Sequence, residues 1–166
     1  SGIVTPPTGE CRCGYFGDID NDGDRDLFVG MLGADNVLFE NLGGGRFRQI
    51  PEHESGLHSL GHTSSACLAD FDHDGDLDLF VVNGNNMWVT TPNPPDADNA
   101  HPNQYFVNDG TGRFTEATEA AGLVDTRWGL ACATADYNRD GHLDLYVAND
   151  VGLDRLYRNR GDGTFE

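Results

Sequence analysis

Asp18-Ile-Asp-Asn-Asp-Gly-Asp-Arg-Asp-Leu-Phe-Val29 decides the fold of this 166-residue chain, because the chain contains the pattern three times. The other copies are Asp70-Phe-Asp-His-Asp-Gly-Asp-Leu-Asp-Leu-Phe-Val81 and Asp136-Tyr-Asn-Arg-Asp-Gly-His-Leu-Asp-Leu-Tyr-Val147, which align with the first without gaps. A second shared block follows each copy, at Asn36–Asn41, Asn103–Asn108 and Asp154–Asn159. Self-similarity of this kind is the signature of a repeat protein.

Short strands separated by turns are the predicted building units. The Leu-Phe-Val or Leu-Tyr-Val that ends each acidic loop is fully apolar, which is typical of a strand covered on both faces. Ser65–Ala69 and Ala131–Ala135 predict a further strand before the loop. Each second block leads into a Gly-x-Gly turn and then a Phe, which predicts a hairpin at Phe47, Phe114 and Phe165. We therefore predict an all-β chain with four strands in each of three repeats.

The repeats indicate one domain over residues 1–166. Repeat 1 covers about 11–57, repeat 2 about 62–123 and repeat 3 about 129–166, where the chain ends soon after its last Phe. From the last loop Asp to the final Asn of the block is 15 residues in repeats 1 and 3 but 30 in repeat 2. Repeat 2 thus carries an insertion of about 15 residues within 84–102, either a functional loop or a tolerated surface insertion. One helical turn is predicted at Glu116–Gly122.

Acidic residues outnumber basic ones and are not spread evenly. The chain carries 28 acids against 10 bases, a formal net charge of −18. Such a charge repels nucleic-acid phosphates and anionic membranes, so we expect neither nucleic-acid binding nor membrane insertion. No apolar stretch approaches the roughly 20 residues that span a bilayer. Thirteen of the Asp residues lie within the three loops, which indicates bound cations.

The spacing of oxygen ligands in each loop predicts calcium. Counted from its first Asp, each loop has an acid or amide at positions 1, 3, 5 and 9, Gly at position 6 and an available backbone carbonyl at position 7. Calcium takes six to eight oxygen ligands in flexible geometry, whereas magnesium is stricter and keeps its waters. We predict three calcium ions per chain. Their predicted ligands are Asp18, Asp20, Asp22, Asp24 and Asp26; Asp70, Asp72, Asp74, Asp76 and Asp78; and Asp136, Asn138, Asp140, His142 and Asp144, with Asp24, Asp76 and His142 acting through their backbone carbonyls.

Two other interpretations of the loops are less consistent with the residues. Turns stabilised by Asp side chains without an ion would leave five carboxylates repelling each other in the second loop. An EF-hand needs Glu at position 12 and flanking helices, but position 12 is Val in every loop and the flanks are strand-like. Transition metals prefer His or Cys, and His73 and His142 stand at positions 4 and 7, where side chains should point away from the ion.

Loop and block together resemble the FG-GAP or VCBS repeat family, which includes the integrin α-subunit propeller and the cartilage acidic protein group. The resemblance rests on D-x-D-x-D-G-x-x-D-L-x-V followed by N-x-L-Y-x-N-x-G-x-G-x-F, and Phe16-Gly17 matches the Phe-Gly pair. The Gly-Ala-Pro element is missing, as in the cartilage acidic branch. The resemblance implies four-stranded propeller-type blades, calcium between the first two strands, and an extracellular or cell-surface setting. Because closed propellers typically have four to eight blades, we expect an incomplete propeller or one completed by assembly.

These observations predict a secreted structural or adhesive calcium-binding protein that is not an enzyme. The chain has no Gly-x-Ser-x-Gly, no His-Glu-x-x-His and no phosphate loop. The alternative is a carbohydrate-binding or accessory module of a polysaccharide-active enzyme, with Trp88 in the insertion as the ligand contact. Glycans or matrix proteins are the expected partners other than the chain itself. Arg160-Gly161-Asp162 spells an integrin-recognition tripeptide, but it falls in the predicted hairpin turn of repeat 3.

The ends of the chain and its cysteines give two further expectations. We expect subunits to assemble by strand addition, with Gly2–Thr5 of one chain completing the last repeat of the next, in a ring or a filament. Cys67 and Cys132 lie three and four residues before their loops. This offset points the two side chains to opposite faces, so we expect no bond between them. A disulfide of Cys11 or Cys13 with one of them is expected instead.

Overall fold

The computed structural model describes residue 3 and residues 8–84 and 97–166, and they form three antiparallel sheets. Sheet 1 contains β1 (Glu10–Gly17), β2 (Asp26–Leu32), β3 (Val37–Asn41) and β4 (Phe47–Ile50). Sheet 2 contains β5 (Thr63–Ala69), β6 (Asp78–Asn83), β7 (Gln104–Asn108) and β8 (Phe114–Glu116). Sheet 3 contains β9 (Gly129–Ala135), β10 (Asp144–Asn149) and β11 (Arg155–Tyr157). The chain is therefore all-β, as the repeats predict.

Strands follow chain order within every sheet, but the third sheet differs from the prediction of four strands. The fourth strand of sheet 3 is reduced to a single bridge between Asn159 and Phe165. Short helices follow the fourth strand of the first two sheets, α1 (Glu52–Ser55) after β4 and α2 (Thr118–Ala121) after β8. The predicted helical turn is confirmed by α2, whereas α1 was not predicted.

Each predicted Gly-x-Gly turn is present. The turns of sheets 1 and 2 are closed by hydrogen bonds from the backbone N–H of Leu42 to Arg46 and from that of Asp109 to Arg113. The first glycine of each turn has a positive φ of 72° to 83°, which a residue without Cβ adopts at no steric cost. The Arg160-Gly161-Asp162 tripeptide lies in the equivalent turn of sheet 3. Asp162 accepts hydrogen bonds from Thr164 there.

Stacking of successive sheets creates the core. One face of sheet 1 packs against sheet 2 through a cluster that contains Ile19, Phe28, Leu38, Leu79, Val81 and Phe106. The other face of sheet 2 packs against sheet 3 through Phe71, Phe80, Tyr105, Leu145, Val147 and Phe165. The ring of Phe71 lies edge-on to Tyr105 and Phe165, with centroids 5.7 and 5.5 Å away. Since Ile19 and Phe71 are the second residues of acidic loops, the core anchors the first two loops directly.

Sheet 3 leaves one apolar face open to solvent. Tyr137, Tyr146 and Leu156 are 53%, 41% and 53% exposed. Their equivalents in the first two repeats are all buried by the following sheet: Ile19, Phe28 and Leu38, and Phe71, Phe80 and Tyr105. The prediction that each apolar run is covered on both faces is thus confirmed for β2 and β6. It is wrong for β10, because none of the described residues covers that face.

Cys67 and Cys132 meet between sheets 2 and 3, contrary to the expectation from their offset. Both pack against the core cluster of that interface, and the Oγ of Ser65, two residues before Cys67, lies 4.0 Å from the sulfur of Cys132. The offset does point them to opposite faces of equivalent sheets. Successive sheets stack front to back, however, so opposite faces of neighbouring sheets line the same space. All four thiols are free in this structure, and it therefore contains no disulfide of Cys11 or Cys13.

Candidate metal centre

All three acidic loops connect the first two strands of their sheet and share one backbone conformation. Glycine at position 6 has φ of 93°, 97° and 95° in the three loops. Position 4 is also left-handed, at Asn21, His73 and Arg139, with φ of 60° to 66°. Asn and His are among the residue types enriched in this region, whereas Arg adopts it at a steric cost. The loop therefore turns sharply at two points, of which the sequence motif marks only the glycine.

Position 9 ties the loop to two strands of its sheet. Asp78 is buried, and its two carboxylate oxygens accept hydrogen bonds from the backbone N–H of Phe71 (3.3 Å) and of Asn108 (3.0 Å). Asp26 and Asp144 make the same pair of bonds at 2.8–3.2 Å. Burial raises the pKa of Asp78 to about 6 despite these donors. The last Asp of each loop is thus a structural hydrogen-bond acceptor.

The last Asn of each shared block also hydrogen-bonds to its own loop, at position 8. Through its side-chain Nδ2, Asn108 donates to the carbonyl of Leu77 at 3.2 Å and to that of Ile19, in the preceding loop, at 2.7 Å. Asn159 repeats this arrangement with the carbonyls of Leu143 and Phe71. These two amides link loops 1 and 2 to the sheet that follows each of them. The repeats align these Asn residues, but their spacing in the sequence does not predict this role.

Positions 1, 3 and 5 of the first two loops bring three carboxylates together. In loop 1 one oxygen from each of Asp18, Asp20 and Asp22 lies within 4.8 Å of the others, and the equivalent acids of loop 2 do the same. Backbone N–H groups of the loop hold them, with Gly23 donating to Asp18 at 3.1 Å and Asp24 donating to Asp22 at 2.8 Å. Burial and the neighbouring carboxylates raise the pKa of Asp20.

One oxygen of the first Asp in each of these two loops has no protein partner. Asp18 Oδ1 and Asp70 Oδ1 are buried and accept no hydrogen bond. A buried, unpaired carboxylate oxygen is costly unless a cation or donor satisfies it. Two oxygens that each lie 2.3–2.6 Å from one calcium ion are at most about 5 Å apart, so the clusters have the dimensions of such a site. The residues present therefore fit a divalent cation.

In loop 3 the carboxylate oxygens at positions 1 and 5 already accept hydrogen bonds from groups of the same loop. Both oxygens of Asp136 accept backbone hydrogen bonds, from Asp140 at 3.1 Å and from Gly141 at 3.0 Å. The amide Nδ2 of Asn138 donates to Asp140 at 2.8 Å, where the other loops have a third carboxylate. The backbone N–H of His142 donates to Asp140 and lowers the pKa of that carboxyl. Loop 3 is therefore the least prepared of the three to bind a cation.

Neighbouring loops contact each other through positions 4 and 7. Asn21 of loop 1 donates from Nδ2 to Asp76 of loop 2 at 2.7 Å. His73 of loop 2 contacts His142 of loop 3, with His73 Nε2 and His142 Nδ1 2.8 Å apart. The two imidazoles thus pair with one another. This repeated contact was not predicted, because only the stacking of sheets brings the two positions together.

Of the two tryptophans in the chain, the structure describes Trp128. Trp128 is 2% exposed, and its indole N–H donates to Asn99 at 2.9 Å, so it packs inside the protein. Trp88, the predicted ligand contact, lies outside the described residues, as does most of the predicted donor strand Gly2–Thr5. Within the described ranges, no helix is long and apolar enough to cross a membrane.

Comparison with known proteins identifies relatives of the repeats. The profile of the FG-GAP-like repeat matches residues 14–81, 87–147 and 136–166. A 57-residue stretch is 44% identical to human cartilage acidic protein 1, 42% identical to the mouse protein and 39% identical to that of Xenopus tropicalis. Each match covers 34% of this chain and 9% of the relative. The similarity thus concerns a small part of those proteins.

Proposed function

The chain belongs to the FG-GAP-like repeat family, and from that premise we propose that it is a calcium-binding structural repeat protein. The observation that carries the proposal is the unpartnered, buried Oδ1 of Asp18 and of Asp70, each inside a cluster of three carboxylates. A bound dication would satisfy that oxygen and remove the repulsion between the acids. An all-oxygen donor set of this size favours calcium over transition metals and over magnesium.

Each ion would be held by the side chains at positions 1, 3, 5 and 9 and by the backbone carbonyl at position 7. The position 9 carboxylates also accept backbone N–H groups, but in each of them Oδ1 accepts a single hydrogen bond and keeps a second lone pair for an ion. Bound calcium supplies positive charge at the junction between a loop and its sheet. Ion binding would stabilise the whole protein because Ile19 and Phe71, in the first two loops, are buried in the core between the sheets.

Calorimetry is expected to find three calcium sites, two tighter and one weaker. Loop 3 is the weak site, because Asn138 replaces an acid and the other oxygens are already hydrogen-bonded. Calcium affinity rises with the charge of the ligand set, so Asn138→Asp should strengthen the weak site by about tenfold, or about 1.4 kcal/mol. Titration of the wild type and the variant at constant ionic strength measures this difference.

A matched control is His142→Asp, which adds the same charge to the same loop at position 7. Only the backbone carbonyl of that position is proposed to bind, so its effect on affinity should be several-fold smaller. No calcium uptake by the wild type, or magnesium bound as tightly as calcium, would contradict the proposal.

We propose that the protein acts outside the cell as a structural or adhesive element whose sheets are propeller-type blades. Three stacked sheets of one repeat type support this role, because the repeated hydrogen bonds at position 9 hold each loop to its strands. In sheet 3 the Arg160 side chain bonds to Glu166 and the Asp162 side chain bonds to Thr164. Both charged ends of the Arg-Gly-Asp turn therefore have partners within their own hairpin.

We also propose that chains associate with themselves through sheet 3. That sheet offers an apolar face at Tyr146 and Leu156 and an edge at β11, whose outer side has only the Asn159–Phe165 bridge among the described residues. A strand edge presents backbone donors and acceptors that another chain can satisfy. The same positions are buried by the following sheet in repeats 1 and 2, which supports a covering partner of the same kind.

Leu156→Arg should weaken self-association at least about tenfold, because burying one large apolar side chain contributes about 1.5–3 kcal/mol. Sedimentation equilibrium over a range of concentrations measures the change. Leu42→Arg is the matched control, since Leu42 is 45% exposed in the first hairpin turn, away from sheet 3. A wild-type chain that sediments as a monomer at all concentrations would contradict self-association.

A further inference from the structure

Two thiols face each other between sheets 2 and 3. Cys67 lies on β5 and Cys132 on β9, the first strand of each sheet, and both pack against the same core cluster. Ser65, on the same face of β5 as Cys67, places its Oγ 4.0 Å from the sulfur of Cys132.

We propose that Cys67 and Cys132 form a reversible disulfide that fastens sheet 3 to sheet 2. Strands that already pack side by side need little backbone movement to form such a bond. Among the described residues, sheet 3 packs against sheet 2 on one face and is open on the other, so a covalent tie to sheet 2 would hold it in place. The bond would join successive repeats and close a long loop, which restricts the unfolded chain.

Thiol–disulfide exchange with a small-molecule disulfide supplies the oxidation. The Cys132 thiolate attacks one sulfur of the oxidant and releases the first thiolate, which leaves a mixed disulfide on Cys132. Cys67 then loses its proton, attacks the Cys132 sulfur and releases the second thiolate. Two protein thiols are oxidised by two electrons, and the oxidant leaves as two thiols after taking up the two protons.

The local environment favours Cys132 as the first nucleophile. Interaction with the Cys67 thiol lowers the pKa of Cys132, whereas that same interaction and burial raise the pKa of Cys67. A lower pKa increases the thiolate fraction, and the thiolate is the attacking species. Cys13 is the rival partner, because it lies close enough to interact with Cys132, but burial raises the pKa of its thiol to about 11.

Peptide mapping tests the proposal directly. The chain contains no Lys, and cleavage after its Arg residues places the four cysteines in four different peptides: 1–12, 13–25, 49–113 and 128–139. The folded, calcium-loaded chain is treated with glutathione disulfide, its remaining thiols are alkylated, and the unreduced digest is analysed by mass spectrometry. We expect peptides 49–113 and 128–139 to be linked, with Cys11 and Cys13 alkylated. Reduction should release both linked peptides.

A second measurement follows the stability of the whole chain. The oxidised protein should melt about 5–10 °C above the reduced protein. Cys132→Ser should abolish both the link and this redox-dependent shift, whereas Cys11→Ser, at an exposed cysteine, should leave both unchanged. A link between 13–25 and 128–139, links only between different chains, or four alkylated cysteines after oxidation would each overturn the proposal. Mapping of the wild type remains decisive if a variant fails to fold.

Discussion

Chelation of calcium is expected to lower the melting temperature of this protein by about 10–20 °C. Binding to the native state alone stabilises it by about 2.7 kcal/mol per site at a hundredfold excess over the dissociation constant. In a domain of this size each kcal/mol corresponds to about 2–4 °C, and loops 1 and 2 are the sites prepared to bind. Without the ion, their clustered carboxylates repel one another and leave a buried oxygen unsatisfied. Scanning calorimetry in saturating calcium and in excess chelator measures the shift.

Two controls show whether the effect is specific to the loops. Magnesium added to the chelated protein should restore little of the lost stability, because it needs stricter geometry. Asp20→Asn should reduce the calcium-dependent shift, whereas Asp35→Asn, an equal change of charge at an exposed residue outside the loops, should not. Identical melting curves with and without calcium would mean that the loops are turns held only by their own hydrogen bonds.

Features that recur within each repeat could be predicted from the sequence. The strands at Ser65–Ala69 and Ala131–Ala135, the Gly-x-Gly turns and the acidic loops each depend on residues close together in the chain. Three aligned copies strengthened every such prediction, since a chance pattern does not recur in register. The all-β class and the clusters of Asp residues followed from these local signals.

Contacts between repeats could not be predicted, because they depend on how the sheets stack. The pairing of His73 with His142 and the approach of Cys67 to Cys132 both cross from sheet 2 to sheet 3. The repeats align equivalent positions with each other, whereas stacking brings non-equivalent positions together, such as positions 4 and 7 of neighbouring loops. Tyr146 is a further example. It is exposed, although it stands between Leu and Val at the same repeat position as the buried Phe28 and Phe80.

The left-handed backbone conformation at position 4 could be predicted only in part from the sequence. Asn21 and His73 are residue types enriched at positive φ, but Arg139 is not. Their conformation follows from the shape that the whole loop must adopt to aim its carboxylates inward. At position 4 the geometry of the loop thus overrides the backbone preference of the residue. Conflicts of this kind are expected at functional sites.

Among single substitutions, Asp78→Ala is expected to destabilise the chain most, by about 3–5 kcal/mol. Its carboxylate accepts three buried hydrogen bonds, from the backbone N–H of Phe71, the backbone N–H of Asn108 and the hydroxyl of Tyr105 at 2.8 Å. Removing it leaves all three donors without a partner in the core between sheets 2 and 3. Urea unfolding in the presence and absence of calcium measures the loss.

The matched variant is Asp72→Ala, in the same loop and at a predicted ligand that accepts one loop N–H instead of three donors. In chelator, Asp78→Ala should keep most of its destabilisation, whereas Asp72→Ala should have little effect, because it also removes a charge that repels Asp70 and Asp74. In calcium both variants should be destabilised, since both lose a proposed ligand. Equal stability of the two variants in chelator would mean that position 9 serves only the ion. The hydrogen bonds from β7 and from the loop would then not be what holds the repeat together.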